Sequence, residues 1–76
     1  MIPESERRKM LAVTLCGPRV LGRLEAIGVH ALADLRGRDP YDVMHEVNVQ
    51  AGYVVWQPPM AIVALQNLIE AAESEP

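Results

Sequence analysis

Glycine and proline interrupt this sequence at short intervals, and these interruptions limit the chain to short helices or strands. The main breaks are Gly17-Pro18, Gly28, Gly37 and Pro58-Pro59. Between them, apolar residues recur three and four positions apart, which is the spacing of one face of an α-helix. The chain has 76 residues, and a domain of this size buries only about 60% of the surface that its unfolded form exposes. We therefore expect one all-α domain over residues 1–76, with little room for an enclosed active site.

The pattern predicts five short helices, and residues at their starts predict how two of them begin. Ser5 is expected to cap the first helix and Asp39 the fourth, with Pro40 in the first helical position. Gly28 is expected to end the second helix in a left-handed conformation. Residues 51–57 have no partner strand and are expected to form an extended loop. The five predicted helices cover about 4–14, 18–28, 31–35, 39–50 and 58–73.

The core is expected to be aliphatic, because the chain contains only two Tyr, one Trp and no Phe. Side chains on the apolar stripe of each predicted helix should fill this core. The predicted core residues are Leu11, Val20, Leu24, Ile27, Leu32, Leu35, Val43, Val47, Ile62, Leu65, Leu68 and Ile69.

Charge is distributed unevenly along the chain. Residues 1–38 hold all seven basic residues and four acidic ones, a net charge of +3. Residues 39–76 hold six acidic residues and no Lys or Arg, a net charge of −6. Such a separation bears on binding partners rather than on the fold. The first half suits an anionic partner and the second half repels one, unless local ion pairs neutralise the basic side chains.

One segment resembles a known DNA-binding motif. Residues 15–29, with the sequence LCGPRVLGRLEAIGV, resemble a helix-hairpin-helix motif, and residues 33–41 resemble the segment that leads into the next helix in one branch of that family. This branch is the bacterial pathogenicity-locus or mitomycin-resistance family, which is similar to the C-terminal domain of TfoX-type competence regulators. The resemblance implies a SAM-like, tandem helix-hairpin-helix arrangement. Its first unit spans about 4–28, its connector 29–38, and a degenerate second unit about 39–73.

The resemblance implies weak binding to the DNA backbone without sequence preference, through the hairpin and the start of the second helix. The amides that open a helix lack partners within it, and together with the helix dipole they attract phosphate. At the matching positions, the donors are the backbone N–H groups of Gly17, Arg19 and Val20, with the side chains of Arg19 and Arg23 on the same face. Leu15 stands where the family has its first Gly, and a Leu there either continues the first helix or strains the turn.

A protein-interaction adapter is the alternative hypothesis. On this interpretation the hairpin has lost DNA binding, and a partner protein contacts the loop that contains Tyr53 and Trp56. Exposed Trp and Tyr side chains often anchor protein interfaces. The same loop is also interpretable as a plug that fills the space between the last two helices.

Residue types needed for catalysis or metal binding do not form a constellation in the sequence. Cys16 and His30 are 14 positions apart, and His30 and His45 are 15 apart, which matches no short metal-ligand pair. Cys16 has no base placed to activate it and is expected to be a small apolar filler of the hairpin. His30 is expected to be exposed and His45 partly buried. We therefore expect a non-enzymatic protein without cofactor or metal.

The sequence also bears on location. No apolar stretch approaches the roughly 18 residues of a membrane span. The charged segment 1–9 is not followed by an apolar run, which argues against a signal peptide. A single cysteine excludes an internal disulfide framework and fits a reducing compartment. We therefore expect a cytoplasmic protein with no membrane partner.

Overall fold

The computed structural model describes residues 1–75, which form four α-helices and one turn of 3-10 helix. No strand occurs within these residues, so the prediction of an all-helical chain is confirmed. The prediction of five helices is not, because the third element is a single 3-10 turn at Leu32–Leu35. The α-helices are α1 (Glu4–Leu11), α2 (Pro18–Ala26), α3 (Pro40–Ala51) and α4 (Met60–Ser74).

Helix α4 is the central element. It packs against the 3-10 turn and against α3, while α2 packs against α3 and against α1. Apolar residues recur along α4 at helical spacing, and their burial explains why this helix lies at the centre. The buried residues of α4 are Ile62, Ala64, Leu65, Leu68, Ile69 and Ala72.

The start of α3 forms as predicted. The Asp39 carboxylate accepts hydrogen bonds from the backbone N–H groups of Tyr41, at 2.8 Å, and Asp42, at 3.4 Å. Pro40 occupies the first helical position, where its missing N–H costs nothing. Gly28 also behaves as predicted, with φ +91° after the end of α2.

Helix α1 differs from its prediction at both ends. The residue that precedes it is Pro3, whose carbonyl accepts the Arg7 N–H at 2.9 Å. Ser5 therefore lies inside the first turn and caps nothing, so its predicted capping role is wrong. The helix ends at Leu11 rather than near residue 14, because tight i to i+3 turns follow it.

The core contains nine of the twelve predicted residues as fully buried side chains, with Val20 and Ile27 partly buried against it. Leu11 is the exception, because its side chain is 37% exposed and the neighbouring Met10 is buried instead. Leu21, beside Val20 on the apolar stripe of α2, is fully buried. In a short amphipathic helix, the sequence defines the buried face only to within about one residue. Packing against the rest of the fold decides which side chain is buried.

Candidate functional site

The turn between α1 and α2 carries local backbone strain. Leu15 has φ +69°, which is the left-handed region that favours glycine. For a residue with a Cβ this conformation costs about 1 kcal/mol. The turn is held by a hydrogen bond from the Cys16 N–H to the Val13 carbonyl at 3.1 Å. Of the two alternatives for Leu15, the structure therefore shows a strained turn and not a continued first helix.

The start of α2 offers open hydrogen-bond donors. Gly17 precedes the helix, and no side chain caps it. Within residues 1–75, the backbone N–H groups of Gly17, Arg19 and Val20 have no protein acceptor, and Pro18 has no N–H to offer. The positive end of the helix dipole lies at the same place. The turn thus leaves the amides of Gly17, Arg19 and Val20 without a protein acceptor within residues 1–75.

Two arginines lie on the same face of α2, Arg19 in its first turn and Arg23 in its last turn. Arg19 and Arg23 line a shallow depression of about 470 Å³, whose floor is formed by Gly22 and Ala26. Neither arginine takes part in an ion pair within the described part of the chain. Arg19 is exposed, whereas Arg23 is half-buried.

Most of the other basic residues are already engaged. Three of them form surface ion pairs, and the Arg36 guanidinium donates to the carbonyls of Ala72 and Glu75 at the end of α4. Arg19 and Arg23 are the two basic residues of α2, and like Arg7 they form no ion pair within residues 1–75. The ion pairs are Arg8 with Glu4, Lys9 with Glu6 and Glu75, and Arg38 with Glu46.

The one acidic residue of α2 is held away from the hairpin. Glu25 lies in the last turn, where its carboxylate accepts the Ile2 backbone N–H at 2.8 Å. This hydrogen bond lowers the pKa of the Glu25 carboxyl. Glu25 thus fixes the segment before α1 and forms no ion pair within residues 1–75 with Arg23, which lies in the same last turn of α2.

The predicted partner residues Tyr53 and Trp56 have different environments. Tyr53 is 64% exposed, whereas Trp56 is half-buried and packs against the core. The plug interpretation therefore holds for Trp56, and Tyr53 alone is freely exposed. As predicted, the residues around them form an irregular segment without strand structure.

Asn48 fixes this loop, and sequence reasoning missed it. Its side-chain oxygen accepts the N–H groups of Val55 and Trp56, both at 3.0 Å. Its side-chain nitrogen donates to the Trp56 carbonyl at 3.1 Å. An Asn in the last turn of a predicted helix is a weak signal, but its side-chain amide offers both a donor and an acceptor that can bond to backbone groups outside the helix.

Replacing Asn48 by alanine is expected to destabilise the protein by about 2 kcal/mol, because three hydrogen bonds are lost and partly buried backbone groups lose their partners. The free energy of unfolding can be measured by urea denaturation. Asn67→Ala is the matched control, since the Asn67 side chain makes one hydrogen bond, to the Thr14 carbonyl. Equal stability of the two variants would contradict a structural role for Asn48.

A second concave surface lies between the hairpin, the loop and the start of α4. It has a volume of about 300 Å³, and we call it the apolar groove. Its lining residues are Leu15, Val20, Val55, Trp56, Gln57, Met60, Ala61, Ala64 and Leu65.

The residues considered for metal or nucleophile chemistry do not come together. Cys16 is buried, and burial raises the pKa of its thiol to about 11, so the thiol stays protonated at neutral pH. His30 is exposed as predicted. His45 is also exposed, so its predicted partial burial is wrong; it lies about 200° around α3 from the buried Val43 and Val47. Within residues 1–75, no three His, Cys, Asp or Glu side chains form a metal site.

Membrane and family comparisons complete the description of the chain. Across residues 1–75, no helix is long and apolar enough to cross a membrane. Comparison of the chain with protein-family models, curated proteins and solved structures finds no match. Function is therefore inferred from the geometry of the hairpin and its surroundings.

Proposed function

We propose that this protein is a small non-enzymatic module that binds the DNA backbone weakly and without sequence preference. The observation that carries the proposal is the open start of α2, where three amides without a protein acceptor within residues 1–75 lie in the same turn as Arg19. Arg23 lies one turn further on, and neither arginine forms an ion pair within these residues. On this proposal the chain is a helix-hairpin-helix protein of the pathogenicity-locus or mitomycin-resistance type. Helices α1 and α2 form its first unit, and α3 and α4 form a degenerate second unit in a SAM-like arrangement.

The chemistry of the site suits a phosphate diester. Backbone N–H groups at a helix start donate directly to anionic oxygens, and the helix dipole adds a favourable field. The Arg19 and Arg23 guanidinium groups supply charge-assisted hydrogen bonds of the kind that phosphate accepts. Such contacts are to the backbone and not to base edges, so they carry no sequence information.

The strained turn supports the same proposal. Leu15 adopts the left-handed conformation that glycine adopts most easily, so the hairpin bends without the family's glycine. Within residues 1–75, the amides of Gly17, Arg19 and Val20 have no protein acceptor, as is usual for the first amides of a helix. Leu15 in place of the family's glycine therefore raises the conformational energy of the turn, but it does not remove the three backbone N–H donors.

A titration of the ¹⁵N-labelled protein with a short DNA duplex tests this proposal. At low salt we expect amide shift changes centred on Gly17, Arg19, Val20 and Arg23. The association constant should fall by about 0.9 log unit per phosphate contact for each tenfold rise in salt. An absence of shift changes at low salt would contradict the proposal, as would shift changes confined to the loop at Tyr53 and Trp56.

A protein-interaction adapter is a second candidate function. The apolar groove favours it, because apolar side chains line a surface that is accessible from outside. Trp56 contributes to this groove from its half-buried position, and the exposed Tyr53 lies three residues before it. On this hypothesis binding of the partner is insensitive to salt, which separates it experimentally from DNA binding.

A further inference from the structure

Gly22, in the middle of α2, is the one glycine of the five in the chain that neither backbone conformation nor packing explains. Gly28, Gly37 and Gly52 have positive φ angles, which favour glycine. Gly17 precedes α2 with an extended backbone, where glycine is also common. At Gly22 the backbone is helical. Apart from the backbone of α2 and the two neighbouring residues, no atom of residues 1–75 lies within 4 Å of where a Cβ would stand.

The sequence of this face is unfavourable for the helix in three ways. A glycine in a helix interior lowers helix stability relative to alanine, because it loses more conformational freedom on folding. Arg19 places a positive charge in the first turn, at the positive end of the helix dipole, and no acidic residue accompanies it there. Arg19 and Arg23 are also like charges four positions apart on one face, and such pairs repel.

Nothing within the described part of the chain compensates these unfavourable features. Neither arginine forms an ion pair within residues 1–75, and Gly22 is exposed. Departures from a good local sequence are expected at functional sites, where a ligand supplies the missing interaction. A negatively charged ligand along this face would reduce the repulsion between the arginines and would interact favourably with the helix dipole.

The shape of the face suits an extended ligand. Arg19, Gly22, Arg23 and Ala26 follow the i, i+3, i+4, i+7 spacing of one helix face and line the shallow depression of α2. The missing side chain at Gly22 allows a ligand to approach the helix backbone between the two arginines. The Cβ atoms of residues four positions apart are about 5–6 Å from each other, so the two guanidinium groups can contact neighbouring phosphates of one strand.

We propose that one sugar-phosphate strand of the DNA lies along α2, from the open amides at its start to Arg23 in its last turn, and that Gly22 permits the close approach that brings both arginines to the phosphates. Gly22 is thus a positioning residue, which acts by leaving space for the strand. This inference rests on the proposed DNA-binding function and adds to it the path of the bound strand.

Filling the depression tests the proposal. Gly22→Leu places a side chain where the strand would lie and is expected to weaken duplex binding at low salt about tenfold, the effect of losing one charge-assisted hydrogen bond. Gly22→Ala is expected to weaken binding less and to raise the temperature of thermal unfolding by about 4–8 °C, because alanine favours the helix. Fluorescence anisotropy with a labelled duplex measures the affinity, and circular dichroism measures the unfolding temperature.

Ser5→Leu is the matched control. Ser5 is exposed inside α1 and lies outside the depression, so this variant also adds an exposed leucine to a helix. It is expected to bind DNA as the parent does. Equal losses of DNA affinity in Gly22→Leu and Ser5→Leu would overturn the proposal, because an exposed leucine would then act without regard to its position.

A double-mutant cycle with Arg23→Ala separates a blocked strand path from a general disturbance of α2. The slope of the logarithm of the association constant against the logarithm of salt concentration should fall by about 0.9 in Arg23→Ala, since one phosphate contact is lost. Gly22→Leu should lower the slope similarly, because the strand no longer reaches Arg23. Combining the two substitutions should then cause little further loss of affinity, whereas fully additive losses would overturn the proposal.

The outcomes also distinguish this proposal from the function on which it rests. Binding of DNA by the parent together with parent-like binding by Gly22→Leu would overturn the strand path and leave DNA binding at the hairpin intact. Absence of DNA binding by the parent at low salt would overturn both. Weaker binding by Gly22→Ala together with a higher unfolding temperature would support the proposal, because the loss of affinity could not then result from unfolding.

Discussion

Replacing Arg19 by glutamate is expected to abolish the binding of duplex DNA at low salt while the protein stays folded. Arg19 is exposed, belongs to no ion pair within residues 1–75 and follows the open amide of Gly17 by two positions. The substitution changes the local charge by two units and places a carboxylate where the phosphate would lie. A glutamate in the first turn of a helix interacts favourably with the helix dipole, so stability should be kept.

The affinity of Arg19→Glu for DNA should fall about tenfold or more at about 50 mM salt, where backbone contacts contribute most. Arg8→Glu is the matched control, because it makes the same change of net charge on an exposed face of α1. Fluorescence anisotropy with a labelled duplex measures both variants. Equal losses of DNA affinity in Arg19→Glu and Arg8→Glu would show that net charge alone causes the effect. Parent-like binding by Arg19→Glu would remove the hairpin as the DNA site.

Replacing Leu24 by alanine is expected to lower the free energy of unfolding by about 3 kcal/mol, because the substitution leaves a cavity in a close-packed core. The Leu24 side chain is fully buried, and its carbonyl accepts the N–H groups of Ile27 and Val29 at the end of α2. A core of this size supplies only about 3–5 kcal/mol in total. The variant should therefore retain at most about 2 kcal/mol of stability and unfold at a markedly lower temperature than the parent.

Thermal denaturation followed by circular dichroism measures this loss. Leu11→Ala makes the same chemical change at an exposed position of α1 and should cost less than about 1 kcal/mol. A cooperative transition of Leu24→Ala at the parent temperature would contradict the assigned core. A large loss in Leu11→Ala would instead contradict the orientation of α1.

Local signals predicted much of the backbone course. Asp39 and Pro40 mark the start of α3, and Gly28 marks the end of α2, as expected from their sequence positions. The capping oxygen, the fixed proline ring and the glycine backbone each act within a few residues. The prediction failed at Ser5, where Pro3 already precedes the helix and the serine falls inside it.

Rotation of the short helices was harder to predict. On α1 the buried side chain is Met10 and not Leu11, although both are apolar and adjacent. The sequence alone does not show which of the two side chains is buried, because a helix of about two turns has too few apolar residues to define its buried face. The same limit explains His45, whose exposure depends on which face of α3 meets α4.

The candidate site was predicted in part. Gly17, Arg19, Val20 and Arg23 were named from the hairpin pattern. The first three lie at the start of α2 and Arg23 lies in its last turn, as their spacing in sequence requires. The apolar groove was not foreseen, since it joins Leu15 to Trp56 and α4 across the fold. The role of Asn48 was missed for a similar reason, because its bonds depend on how the loop returns over α3.

The sequence by itself determined the all-helical class, the breaks between helices and the basic start of α2, because these depend on interactions among near neighbours. Tertiary structure alone decided which faces are buried, which arginines lack ion pairs and where the groove lies. Arg36 illustrates the difference, since it donates to the carbonyl of Ala72, 36 positions away. Contacts over such separations depend on how the helices pack together, and no local pattern encodes that packing.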